Sequence, residues 1–110
     1  MNLTKEKINN FSVLNVEGRI DTTNAPAFEA EIDRIYSSGE KDIIINCNGM
    51  KYISSSGLRI FLIAQKRATA LHGKLHLCDM QPAIKEIFVI SGFSNLFRIR
   101  KKRGGEWIGL

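Results

Sequence analysis

Long hydrophobic runs are missing from this chain of 110 residues. Its longest near-apolar stretch, Ile60 to Ala64, is far short of the ~20 residues that a membrane-spanning helix needs, so no membrane span is expected. Cysteine is scarce. Cys47 and Cys78 alone cannot build a disulfide framework or complete a metal site, which makes a reducing cytoplasm the expected compartment. Both are expected as small core residues. The opening residues Met1-Asn2-Leu3-Thr4-Lys5-Glu6 turn polar at once, so no secretory signal is expected. His72 and His76 have no carboxylate or cysteine cluster near them in sequence and read as structural residues. Gly104-Gly105 is too short for a phosphate loop, and no Gly-rich turn runs into Lys-Ser or Lys-Thr. With no acid–base pair either, the chain is expected to be no enzyme and to need no cofactor and no metal.

Charge of one sign is concentrated rather than spread. The formal charge is +5. Arg98, Arg100, Lys101, Lys102 and Arg103 account for all of it, leaving eleven basic and eleven acidic residues elsewhere. A local basic cluster without interleaved aromatics does not make a nucleic-acid platform, so no direct contact with nucleic acid is expected. Trp107 is expected to pack over a strand edge, and Gly104-Gly105 to mark a flexible, dispensable end.

What is present is a core. With 44% hydrophobic and 25% charged residues, the chain is expected to form one domain over residues 1–110, with about 98–110 as an edge strand and basic tail. Leu3 to Ile8 alternates weakly, Asn9-Asn10 signals a turn, and Phe11 to Val16 is rich in strand formers up to Gly18. These predict a hairpin. Asn24 with Pro26 predicts a capped helix start, and Phe28, Ile32, Ile35 and Tyr36 follow at helical spacing as far as Ser38-Gly39. Asp42 to Cys47 contains three consecutive isoleucines and predicts a central strand buried on both faces, closed by Gly49. Leu58 to Leu71 predicts a long helix striped by Phe61, Ala64, Ala68 and Leu71. Leu58 and Leu62 widen that stripe. Ile60 and Ile63 make its first turns apolar nearly all round, so they are buried or meet a partner. Gly73 stops it. Lys74 to Cys78 alternates as a strand, Pro82 opens a short helix ended by Gly92, and Leu96 to Arg100 predicts a charged edge strand. The order β-β-α-β-α-β-α-β describes a small α/β domain. Phe28, Ile32, Ile35, Ile44, Leu62, Leu75, Leu77, Ile84 and Phe88 are expected in one core.

One segment exceeds what structure alone requires: Tyr52-Ile53-Ser54-Ser55-Ser56-Gly57-Leu58-Arg59. One serine suffices to cap a helix. Three small hydroxyl residues followed by glycine leave the backbone accessible at a helix start, where added negative charge is tolerated.

That segment resembles the signature of STAS domains, specifically the bacterial anti-sigma factor antagonists. Gly18-Arg19-Ile20-Asp21 followed by Asn24-Ala25, the strand Asp42 to Asn46, Gly73-Lys74-Leu75 and Ile90-Ser91-Gly92-Phe93 extend the likeness over nearly the whole chain. The resemblance implies a mixed sheet of four or five strands with helices mainly on one face. It further implies phosphorylation at Ser55 and a partner-binding surface made by Asp21, Thr22, Thr23, Asn24, Ser54, Ser56, Gly57, Leu58 and Arg59. The helix would begin at Ser56. The implied partner is an anti-sigma factor that is also a serine kinase, with a phosphatase as a further partner. The unphosphorylated protein would sequester that partner and free a sigma factor. Ser54 and Asn46 stand where many members carry Asp, which removes negative charge expected near the acceptor. The alternative implied by the same fold is an accessory subunit of a lipid-transport ATPase complex that binds without phosphorylation.

Overall fold

The computed structural model describes residues 1–103 and 106–107. The chain runs β1 (Asn2–Ile8), β2 (Phe11–Ile20), α1 (Ala25–Ser37), β3 (Ile43–Ile53), α2 (Ser55–Ala70), β4 (Leu75–Cys78), α3 (Pro82–Ile90), a 3-10 turn (Ser94–Leu96) and β5 (Arg98–Arg100). Two short strands follow, β6 (Lys102–Arg103) and β7 (Glu106–Trp107), paired antiparallel with each other. The main sheet has five strands in the order β1-β2-β3-β4-β5. β1 and β2 form the antiparallel hairpin, with Ile8 facing Phe11 across Asn9-Asn10. Asn9 takes a φ of 54°, the left-handed conformation that asparagine tolerates. The remaining neighbours are parallel, as their helical connections require.

All three helices bury their apolar stripes against one face of the sheet. Phe28, Ile32 and Ile35 of α1, Phe61 and Ala64 of α2, and Ile84 and Phe88 of α3 share one cluster with Leu14, Ile43, Ile45, Leu75 and Leu77. Phe61 is its hub, lying 5.3 Å from the Phe28 ring and 5.4 Å from Phe88, centroid to centroid. Two expected core members differ. Ile44 is fully buried but belongs to a second cluster, with Val13 and Cys78 packed under Phe11. Successive strand side chains alternate between faces, so the middle isoleucine of the three turns away from the helices. Leu62 is only half-buried, and Leu71 is 45% exposed. The α2 stripe runs instead through Leu58, Phe61, Ala64 and Ala68.

The central strand is longer than its isoleucine run suggests. It continues through Gly49 and ends at Ile53. Gly49 sits where the register with β2 shifts, opposite Glu17. A Cβ there would lie 2.6 Å from the Glu17 side chain, so glycine permits the strand to pass rather than closing it. The last strand is shorter than expected, because Leu96 belongs to the 3-10 turn and Phe97 is buried before the pairing begins at Arg98. The expectations for Gly104-Gly105 and for the Trp107 side chain fall outside the described residues.

Candidate functional site at the junction of the central strand and second helix

β2 and β3 are parallel neighbours, so both end at the same edge of the sheet. Ile20 faces Ile53 and Arg19 faces Tyr52 in their register. The Ser54 amide donates to the Ile20 carbonyl at 2.9 Å. This parallel pairing brings the turn Asp21–Asn24 beside the serine segment, although 30 positions separate Asn24 from Ser54 in sequence.

The three serines have separate environments. Ser54, in an extended conformation, is the N-cap: its hydroxyl accepts from the Gly57 amide at 3.2 Å, and its carbonyl accepts from the Leu58 amide at 3.0 Å. Ser55 is the first helical residue and is exposed. The helix therefore begins one position earlier than expected, and three before Leu58. Ser56 is half-buried, and Gly57 and Leu58 are buried in the first turn. A Cβ on Gly57 would come within 2.8 Å of both Ile20 and Ile53, so glycine lets α2 start hard against the ends of two strands. Arg59 is exposed one turn along from Ser55.

The neighbouring turn is held by its own side chains. Asp21 Oδ1 accepts from the amides of Thr23 and Asn24, at 3.0 and 3.1 Å. Asn24 Oδ1 accepts from the Asp21 amide at 2.9 Å, and Asn24 Nδ2 donates to the Arg19 carbonyl at 2.8 Å. Asn24 is at the N-cap of α1 as its sequence position suggests, but its side chain does not cap. It points back to close the turn, while its carbonyl accepts from the amides of Ala27 and Phe28. Thr22 and Thr23 are left exposed at the tip.

Below these loops a shallow groove runs between α1 and α2. Pro26, Glu29 and Asp33 line it from α1, and Ile60, Ile63 and Arg67 from α2. Ile60 is buried and Ile63 is half-buried at the groove, which accounts for the apolar surplus in this helix. Arg67 bonds Asp33 across the groove and lies 4.9 Å from the Tyr36 ring centre. Tyr36 in turn donates to the Ala64 carbonyl at 3.2 Å, and burial pushes its hydroxyl pKa up to about 12. These contacts fix the distance between the two helices. On β2 and β3, the Arg19 guanidinium stacks on Tyr52 at 4.3 Å. Sequence reasoning missed this pair, because 33 positions separate its members and only the parallel register joins them.

Asn46 lies elsewhere. β3 runs seven residues past it, and its side chain donates to Asn15 Oδ1 at 2.9 Å. It is therefore not beside the serines, contrary to expectation, because the strand does not end there. His76 is buried on the sheet face that carries Ile44. Desolvation, then the charges of Arg100, Arg98 and Lys74, push its pKa down to about 4. It packs edge-on against Phe11. His72 is exposed with φ 55° past the end of α2. Burial pushes the Cys47 thiol up, away from the reactive thiolate form. Among the described residues no group of three or more His, Cys, Asp or Glu is placed to hold a metal ion, and no helix is long and apolar enough to cross a membrane.

Residues 2–105 match the family model of the STAS domain. A Bordetella bronchiseptica protein assigned as an anti-sigma factor antagonist, BtrV, is 34% identical over 103 residues, covering 94% of this chain and 89% of its own. Among solved structures, the Thermotoga maritima protein TM1081, assigned to the same class, superposes with a TM-score of 0.85 at 14% identity over 93% of this chain and 87% of its own. The anti-sigma factor antagonist SpoIIAA, solved in its unphosphorylated form, gives 0.73 at 18% identity over 93% and 90%. The phosphorylated form of the Bacillus protein gives the same score at 20% identity over 94% and 93%.

Proposed function

This chain belongs to the STAS domain family, and we propose that it works as an anti-sigma factor antagonist switched at Ser55. In this reading the partner is a cytoplasmic anti-sigma factor with serine-kinase activity. It docks on Asp21–Asn24, on Ser54–Arg59 and along the groove between α1 and α2. Bound in this way, the partner releases its sigma factor. Phosphorylation of Ser55 reverses the capture, and a phosphatase restores it. The chain itself is a binding module that performs no chemistry.

The observation that carries this reading is the division of labour between Ser54 and Ser55. Capping is done by Ser54. Ser55 is thereby exposed on the first turn with no structural duty assigned to its hydroxyl, and it can be modified without uncapping the helix. The added charge of about −1.5 to −2 sits at the positive end of α2, where the fold tolerates it. A partner surface that must desolvate that charge does not, and the loss of affinity reaches several kcal/mol. BtrV supports the functional class, and SpoIIAA, known in phosphorylated and unphosphorylated forms, supports the switch.

The test is a pull-down from the native cell with wild type, Ser55→Ala and Ser55→Asp in parallel, with the phosphate localised by mass spectrometry. Wild type and Ser55→Ala should retain a kinase-like anti-sigma factor, Ser55→Asp should retain less, and Ser55→Ala should resist modification. If Ser55→Ala is phosphorylated as fully as wild type, the acceptor is another residue. If no serine of the segment is modified and Ser55→Asp retains permease or ATPase subunits instead, the transport-accessory role replaces this one.

A further inference from the structure

We infer that a phosphate on Ser55 is gripped by Arg59, so that modification withdraws a guanidinium from the docking surface as well as adding charge to it. The inference rests on the reading of Ser55 as the acceptor, and it concerns what the phosphate does once attached.

Three arginines lie on the helices. Arg34 bonds Glu31 at 2.6 Å, and Arg67 bonds Asp33 and stacks on Tyr36. Arg59 is exposed and forms no ion pair among the described residues. The first turn of α2 contains no acidic residue to engage it. A free guanidinium at the mouth of a protein-docking surface is available to a partner in the unmodified state.

Ser55 and Arg59 are four positions apart on one continuous helix. Residues so spaced sit on the same face, about 5–6 Å apart at Cβ. Helical side chains lean toward the N-terminus, so Arg59 leans over the turn that carries Ser55. An acidic group placed four residues before a basic one is also the favourable order. A phosphoserine presents three acceptor oxygens and a charge of about −1.5 to −2, which suit the planar fork of a guanidinium. The neighbouring serines lack this arrangement. Four residues beyond Ser54 is Leu58 and four beyond Ser56 is Ile60, both buried apolar residues. Ser56 stands three before Arg59 but is half-buried.

The unmodified surface then offers a partner a cation. The modified surface offers an internally bonded pair of net negative charge. Binding is lost for two reasons at once, and a carboxylate on the short Asp arm reproduces only part of the effect.

The test places phosphoserine at position 55 during translation, so that no kinase is needed, and follows the phosphate by phosphorus NMR as pH is varied. Wild type, Arg59→Gln and Arg67→Gln are compared at low salt. In wild type the second ionisation should fall about half a pH unit below that in Arg59→Gln, a difference that shrinks in ~1 M salt, while Arg67→Gln should titrate like wild type. If wild type and Arg59→Gln titrate together, or if Arg67→Gln shifts as far as Arg59→Gln, the grip does not exist. A kinase that ignores Ser55 would defeat the functional reading and leave this titration unchanged. A flat comparison would defeat the grip and leave the switch standing.

Discussion

The main-chain N–H of Ser54 donates to the carbonyl of Ile20 at 2.9 Å, and through that bond the end of the central strand is tied to the end of its parallel neighbour. The serine segment and the Asp21–Asn24 turn share one edge of the sheet because of it. Both loops are short and internally bonded, so the surface proposed for docking is held in place before any partner arrives.

Removing the cap should separate stability from the switch. Ser54→Ala deletes the oxygen that accepts from Gly57 and should cost about 1 kcal/mol, or about 4 °C in thermal denaturation. Ser55 remains exposed in this variant, so the phosphorylation proposed for it should persist in an extract of the native cell. Loss of both together would mean that the cap and the acceptor are one unit.

The close approach at Gly57 sets a second expectation. Gly57→Ala would bring a methyl group within 2.8 Å of Ile20 and Ile53. Both belong to β-branched side chains buried in the core, with little room to retreat. The variant should lose about 1–3 kcal/mol in urea unfolding even though alanine favours helix. A neutral or stabilised variant would show that α2 can shift its start at no cost.

Adjacent positions on α2 should differ sharply. Phe61 is fully buried against Phe28, Phe88 and Phe97, and Phe61→Ala should cost about 3–5 kcal/mol. Leu62 is half-buried, so Leu62→Ala should cost about 1–2 kcal/mol, below the range for a fully buried leucine. Equal losses in equilibrium unfolding would contradict the orientation of the helix.

Acid should weaken the fold in two windows. His76 titrates at about 4 in the folded protein against 6.5 as its ordinary value. The unfolded chain therefore binds the extra proton between those values, and stability should fall as pH drops from about 6.5 to 4, by roughly 2–3 kcal/mol. Glu31 is held below its ordinary value by hydrogen bonds from Lys5 and Arg34. Its contribution is present above about 4.5 and fades below it. His76→Phe should flatten the first window and leave the second. An unchanged slope between pH 6.5 and 4 would show that His76 takes its proton without opening the sheet.

Local chemistry alone determined much of this protein. Helical spacing of Phe28, Ile32, Ile35 and Tyr36, the isoleucine run at 43–45, the Asn9-Asn10 turn and the left-handed stops at Gly39 and Gly92 are short-range patterns, and short-range sterics and burial act on them directly. After α2 the left-handed position falls on His72 instead, and Gly73 is needed because the Lys41 carbonyl passes close to it. The unusual density of small residues at 54–57 was legible for the same reason. Tertiary structure decided what depends on residues far apart in the chain. Only the parallel register of β2 and β3 could carry the strand past Gly49, set Arg19 on Tyr52 and bring Asp21–Asn24 to the serines. Only the packing of α2 against Ile20 and Ile53 could assign the cap to Ser54 and exposure to Ser55. Ile44 and Leu62 show the same limit: a hydrophobic residue announces that it will be buried, but the face it is buried on is settled by the partners that arrive across the sheet.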